Sequence, residues 1–522
     1  MSTIHNPILP GFHPDPSICR VGDDFYIANS TFEWWPGVRI HHSRDLVHWR
    51  PLGHALTRRK QLDMTGDPDS GGVWAPALSH ADGRFWLVYS DVKTWQHGYK
   101  DVHNYVVWTE DIASGEWSDP HYINSSGFDP SLFHDDGGRK WVVNQLWDHR
   151  AGRNSFAGIV MQEYDHAAGG LVGPITNIFT GTSAKVTEGP HLYRQDGWYY
   201  LVTAEGGTGR YHCVTVARSR SLTGPYEVHP DNPILTARHD LGLQLQKAGH
   251  GSWCQTPSGE WYLVHLASRH VHGCSLLGRE TAIQAMVWDD DGWPRLAGGG
   301  CEPQDVVPAP RLPPCPWPPA PAEIRFAAGD LPPDFQTLRI PADDSWLRLD
   351  AAGLHLNGQE SLASRHRTSL VARRVQHFDC RAETTVLIDP GDFQHMAGLT
   401  AFYDVASWYY LYVSHDAEQG RELRLATMVN GRFGEDPDAR TTLPAEGPVD
   451  LACEISQLEV RFFYRLGDGP WQAAGWPKGA IPLGDEHGDY GHFTGAFFGL
   501  ACQDLSGQRR PATFTRFAYA SL

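Results

Sequence analysis

Helical periodicity is almost absent from residues 1–307 of this 522-residue sequence, which leaves β-structure to carry that region. No apolar run approaches the roughly 20 residues that cross a bilayer as a helix, so a helical anchor is excluded. Residues 1–10 lack the basic and apolar regions of a secretory signal, and the expectation is a cytoplasmic protein. The nine cysteines (19, 213, 254, 274, 301, 315, 380, 453 and 502) are odd in number and show no CxxC spacing. That pattern favours free thiols in a reducing compartment over a disulfide framework or a zinc site. Positive charge is also short. Lys and Arg total 43 against 61 Asp and Glu, a net charge of −18 that argues against nucleic acid or an anionic membrane as partner.

What is present is length, aromatics and a repeat. A chain of this length with 41% hydrophobic residues has material for more than one core. Twenty Trp and 19 Tyr suit stacking on sugar rings, although β-cores use aromatics too. The repeat begins at Phe12-His13-Pro14-Asp15-Pro16-Ser17, where two prolines stiffen the backbone around an aspartate. Phe128-Asp129-Pro130-Ser131 restates it, and Thr187-Glu188-Gly189-Pro190 restates it with glutamate. Val73-Trp74-Ala75-Pro76 and Gly249-His250-Gly251-Ser252 are copies without the acid. Each leads, about ten residues on, to a turn and an aromatic strand, as in Asp82-Gly83-Arg84-Phe85-Trp86 and Asp196-Gly197-Trp198-Tyr199-Tyr200.

Taken at residues 15, 74, 129, 188 and 250, the copies are spaced 59, 55, 59 and 62 residues apart. A hairpin signal at a near-constant period predicts a five-bladed β-propeller in which these positions converge on one axis. An Asp-Pro pair alone is a common turn former. Three acids in register within a repeat point instead to a site. Glu205 follows a strand and falls outside that register, so it is set aside as a decoy. The run Val307-Pro308-Ala309-Pro310-Arg311-Leu312-Pro313-Pro314-Cys315-Pro316-Trp317-Pro318-Pro319-Ala320-Pro321 reads as a semi-rigid connector. The expected organisation is a propeller over 1–307, a linker over 308–322 and a β-sandwich over 323–522. Alternating stretches such as Ser369–Arg374 and Trp408–Val413 mark the sandwich.

The strings HPDPS at 13–17, VWAPAL at 73–78, FDPSLF at 128–133 and TEGPHLY at 187–193 resemble glycoside hydrolase family 43. Asn144–Arg150, Gly278-Arg279-Glu280-Thr281 and His492-Phe493-Thr494-Gly495 resemble its β-xylosidase branch. The resemblance spans essentially the whole chain and implies an all-β fold, a propeller followed by a concanavalin-like sandwich. It implies Asp15 as general base, Glu188 as general acid and Asp129 as the group that tunes the acid. It further implies that Phe32, Trp74, Trp147, His250, Arg279 and Phe493 bind the sugar, Phe493 by reaching from the sandwich into the propeller. No cofactor is expected, although Ca2+ near His250 stays open; a lone His lacks the carboxylate cluster calcium prefers.

The implied reaction is inverting, exo-acting release of D-xylose from short β-1,4-xylo-oligosaccharides by a homo-oligomer. Inversion needs one protonated and one ionised carboxyl, roughly 6.5–9.5 Å apart with a water between. The alternative within the family is an α-L-arabinofuranosidase, or an enzyme with both activities. Retaining fructosidases also join a five-bladed propeller to a sandwich, but their Asn-Asp-Pro-Asn-Gly and Arg-Asp-Pro strings do not occur here. A non-catalytic sugar-binding propeller would gain nothing from three converging acids without a cation.

Overall fold

The computed structural model describes residues 2–488 and 492–522. Among these there is no α-helix; the only helical turn is a short 3₁₀ turn at Ile481–Leu483. Five antiparallel sheets follow one another from Ser17 to Leu296, four of four strands and one, the fourth, of five. They are the blades of a propeller. Blade 1, for example, runs Ser17–Val21, Asp24–Asn29, Gly37–Ser43 and Arg50–Leu56. Asp82-Gly83 and Asp196-Gly197 both have positive φ at the two central positions, the geometry that matches the twist of paired strands. The ring is fastened where the ends meet. Thr3–His5 pairs with Val306–Pro308, and Leu9 bridges to Thr281 of blade 5.

The repeat register differs from the sequence reading by one residue in two blades. Asp15, Ala75, Asp129, Gly189 and His250 all adopt positive φ, between 29° and 56°. These five are therefore the equivalent positions, and in four of them the next residue is proline. Trp74 and Glu188 lie one place earlier, so they belong to a second ring with Pro14, Phe128 and Gly249. The error arose from aligning on the functional residue rather than on the proline, which fixes the backbone. Left-handed conformations at non-glycine residues cost about 1–3 kcal/mol each and persist where the surroundings over-determine them. Glycine at 189 has a further reason: a Cβ there would lie 2.9 Å from the His250 ring.

The sandwich pairs a nine-stranded sheet with an eight-stranded one. Alternate residues of the eight-stranded sheet, such as Tyr409, Leu411 and Val413, enter the core between the sheets. Their neighbours Trp408, Tyr410 and Tyr412 are equally buried, but in a cluster with Phe12, Phe32, Trp34 and Trp74 of the propeller. This explains why Ser407–Asp416 reads as an almost unbroken buried run. The eight-stranded sheet also borrows a strand: Trp34 and Trp35 of the propeller pair with Leu338 and Thr337. The connector is held against blade 1. Cys315 N–H donates to Asp45 at 2.7 Å, and the Arg50 guanidinium lies 3.9 Å over the Trp317 ring. All nine cysteines are free thiols.

Candidate active site

Six residues of the two rings line a cavity of about 760 Å³. Asp15, Asp129 and His250 come from the left-handed ring; Trp74, Phe128 and Glu188 come from the ring before it. Asp15 is nearly closed to solvent at 5% exposure, yet well satisfied. Ser30 donates its hydroxyl to Asp15 Oδ2 at 2.6 Å and Arg279 Nη1 donates to Oδ1 at 3.2 Å, with His250 Nδ1 4.0 Å away. Ser30 itself accepts the Ala75 N–H at 2.7 Å, which fixes the hydroxyl toward the carboxylate. Asn29 donates to the carbonyls of His13 and Pro14, holding the Asp15 segment against its own hairpin.

The three carboxyls are driven in opposite directions. Burial alone would raise Asp15, but the Arg279 charge, then His250 and the Ser30 hydroxyl, outweigh it and hold the carboxyl below its usual range. Glu188 is pushed well above the ordinary glutamate value, by burial first and then by the charges of Asp129 and Asp15. Asp129 is also raised, by burial and then by Asp15, against the Gly189 N–H that it accepts at 3.1 Å. The pair Asp129 and Glu188 thus retains proton while Asp15 stays ionised. An environment that splits like groups in this way can run acid and base chemistry at one pH.

Opposite the acids is a wall of rings. Phe493 of the sandwich lies 6.2 Å from Phe32, 6.2 Å from Trp74 and 5.2 Å from Trp95, centroid to centroid. The Arg279 guanidinium faces both Phe32 and Phe493, 5.2 and 5.3 Å from their centroids, and donates to the Phe493 carbonyl at 3.1 Å. Gly278 precedes it because the chain passes so close that a Cβ would collide with the Thr494 carbonyl. Lys100 donates to the Trp95 carbonyl at 2.8 Å and stands 4.5 Å over Trp147. Burial lowers its pKa to about 8, opposed by the charge of Glu188.

All nine residues singled out from the sequence, Asp15, Glu188, Asp129, Phe32, Trp74, Trp147, His250, Arg279 and Phe493, line this one cavity. Glu205 does not; it ends the strand Trp198–Glu205 rather than following it. Its carboxylate accepts from Thr182 N–H and from the Thr182 and Thr187 hydroxyls, bracing the loop before Glu188. Trp95, Lys100, Phe128, Phe156 and His212 also line the cavity and were missed. Phe128 had a signal, since it precedes Asp129 as Trp74 precedes Ala75. The carboxylate that faces His250 is Asp15, which already accepts from Arg279. Among the described residues no group of three or more His, Cys, Asp or Glu is arranged to hold a metal ion.

This geometry is matched by known proteins. The model of glycosyl hydrolases family 43 covers residues 4–294, and that of the β-xylosidase C-terminal concanavalin A-like domain covers 323–520. The chain belongs to glycoside hydrolase family 43, a family of inverting hydrolases. It is 50% identical to xylosidase/arabinosidase 43B of Humicola insolens, over 99% of this chain and 98% of that one. It is 48% identical to a β-xylosidase of Bacillus subtilis, over 99% of each. The crystal structure of a xylan β-1,4-xylosidase from Bacillus halodurans superposes with a TM-score of 0.98 at 51% identity, covering 99% of this chain and 100% of that one.

Proposed function

We propose that the protein is an exo-acting β-xylosidase that removes D-xylose from the non-reducing end of short β-1,4-xylo-oligosaccharides. The observation that carries this is one cavity holding an ionised Asp15 and a proton-retaining Glu188. In this reading Asp15 takes the proton from an attacking water, and Glu188 gives its proton to the leaving oxygen. The water adds to the anomeric carbon as the glycosidic bond breaks, so configuration inverts. Asp129 keeps Glu188 protonated by its charge, since two like charges in a buried site disfavour ionisation. Arg279 is fixed by Asp15 and the Phe493 carbonyl, which leaves its remaining N–H groups to orient sugar hydroxyls. Trp74, Phe32, Trp147 and Phe493 supply ring faces. No step is routed through a cation.

An exo mode is supported by Phe493, a residue of the second domain that helps enclose the cavity. Nine free thiols support work in a reducing compartment such as the cytoplasm, and assembly as a homo-oligomer is part of the same proposal. Among the described residues no helix is long and apolar enough to cross a membrane. The name of the Humicola relative favours a second reading, hydrolysis of α-L-arabinofuranosides in the same cavity. Initial rates on matched aryl β-D-xyloside and α-L-arabinofuranoside test both. The xylosidase reading is overturned if the arabinofuranoside is the better substrate by kcat/KM, or if neither is cleaved.

A further inference from the structure

The rings of the pocket wall belong to different strands and loops of two domains, yet their anchors meet in one short segment. Ser70 is 2% exposed and adopts a left-handed φ of 55°. Its carbonyl accepts the Trp74 indole N–H at 2.8 Å. Its hydroxyl accepts the backbone N–H of Phe493 at 3.1 Å, across 423 residues of sequence. Its own N–H donates to Glu33 Oε2 at 3.1 Å. The preceding carbonyl, of Asp69, accepts the Trp95 indole N–H at 3.2 Å. Three of the four rings of this wall, Trp74, Trp95 and Phe493 but not Phe32, are therefore referred to residues 69–70.

The sandwich grips this segment from both sides. Arg339, 1% exposed, donates to the Asp67 carbonyl and to Asp69 Oδ1, each at 2.8 Å, and Arg365 donates to Asp69 Oδ2 at 2.8 Å. The Arg339 N–H donates to the Glu33 carbonyl at 2.9 Å, next to the carboxyl that holds Ser70. The segment has no room to shift. A Cβ at Gly71 would lie 2.9 Å from the Val92 carbonyl, and one at Gly72 2.5 Å from that of Phe32. Glu33 raises no competing charge, since burial, opposed by Arg339, lifts its pKa to about 8. No group of the segment touches the carboxyls that carry the chemistry. Its partners are the rings, the sandwich arginines, and Glu33 and Lys93 of the propeller.

We propose that Ser70 is the positioning residue through which the sandwich sets the aromatic wall, and with it the strength of sugar binding rather than the rate of bond cleavage. This rests on the reading of the cavity as a xyloside site. The hydroxyl fixes the backbone of Phe493, and the carbonyl fixes the plane of Trp74, so one residue sets the gap between the two faces.

Ser70→Ala removes only the Oγ and keeps both backbone contacts. With xylobiose its KM should rise about fivefold, the worth of one buried hydrogen bond, while kcat stays within about twofold. The increase should vanish in a Phe493→Ala background, because two residues acting through one contact are not additive. Glu33→Ala, which leaves the hydroxyl but frees the Ser70 N–H, should act in the same direction and show the same dependence on Phe493. A rise in KM of equal size with and without the Phe493 ring overturns the proposal, as does a fall in kcat alone. A crystal structure of Ser70→Ala needs no turnover. The proposal predicts a displaced Phe493 ring, and a ring left in its contacts with Phe32, Trp74 and Trp95 overturns it even if xylobiose proves not to be the substrate. Wild-type inactivity on xylobiose would instead strike the substrate reading.

Discussion

The acid side and the aromatic side of the cavity are built on different plans. The acids come from a repeat: Asp15 and Asp129 from the same left-handed position of two blades, and Glu188 from the position before it. Their separation into ionised and protonated groups follows from burial, mutual repulsion and one arginine. Among the rings, Trp74 and Phe128 share the repeat position of Glu188, whereas Trp95 and Phe493 lie outside the repeat. Trp74, Trp95 and Phe493, from a strand, a loop and a second domain, are joined by the anchors at residues 69–70. The chemistry lies wholly where the fold repeats, and part of the fit lies where it does not. Variants on the two sides should therefore fail differently, kcat suffering on one and binding on the other.

The strongest break is to remove the sandwich. Deleting residues 323–522 should leave no measurable xylosidase activity and an aggregation-prone propeller, because Trp34 and Phe12 lose their cover. A soluble propeller that cleaves xylobiose at the full-length rate would show that the aromatic side needs no second domain. Next in size is Asp15→Ala, expected to lower kcat by about 10³-fold or more on every substrate while KM changes little. An Asp15→Ala enzyme active on activated aryl xylosides would remove the base from the acid side. Glu188→Gln should cost about 10²-fold or more on xylobiose, but much less on aryl xylosides whose leaving groups need little protonation. Equal losses on both would contradict the acid role; sugar binding retained by a protein that has no turnover to lose would restore the picture of a lectin.

The smallest effect is a shift rather than a loss. Glu188 must be protonated to act, and its pKa is raised by burial and then by the Asp129 charge. Asp129→Asn removes that charge, so the Glu188 pKa should fall and the alkaline limb of the pH–rate profile should move toward acid pH. The acid limb, governed by Asp15, should stay in place, since Asp129, raised to about 8, is already protonated and uncharged where Asp15 titrates. Rates across pH on one xyloside measure both limbs, and a stationary alkaline limb would leave Asp129 a group that only positions Gly189.

The difference between the two sides also decides what was legible in the sequence. Asp15, Asp129 and Glu188 stood out because proline and turn residues mark each blade at a near-fixed spacing. The one-residue error at Trp74 and Glu188 came from reading side chains where the backbone was the invariant, and it hid Phe128. Lys100 and Trp95 lie in the loop between the second and third strands of blade 2, whose sequence the matching loops of the other blades do not repeat, so no periodicity announces them. Phe493 was readable only through the family resemblance. Its contacts with Ser70, Arg279 and Trp95 join residues hundreds of positions apart, and neither propensity nor pattern encodes such distances. The sandwich strand Ser407–Asp416 was recognised, but burial of both its faces was not, because the second face is covered by the other domain.

The pairing of Trp34 and Trp35 with Leu338 and Thr337 has a consequence for how such chains are inherited. A strand lent by one domain to the sheet of the other cannot be left behind when either is moved. Backbone groups that pair within a sheet must find partners, and an edge opened by exchanging the sandwich would present Leu338 and Thr337 unpaired. The two halves should therefore melt as one unit in calorimetry, and recombine with foreign partners only where the partner carries the same two-residue strand. What looks from outside like a catalytic module with an accessory is, in the currency of cooperativity, a single fold.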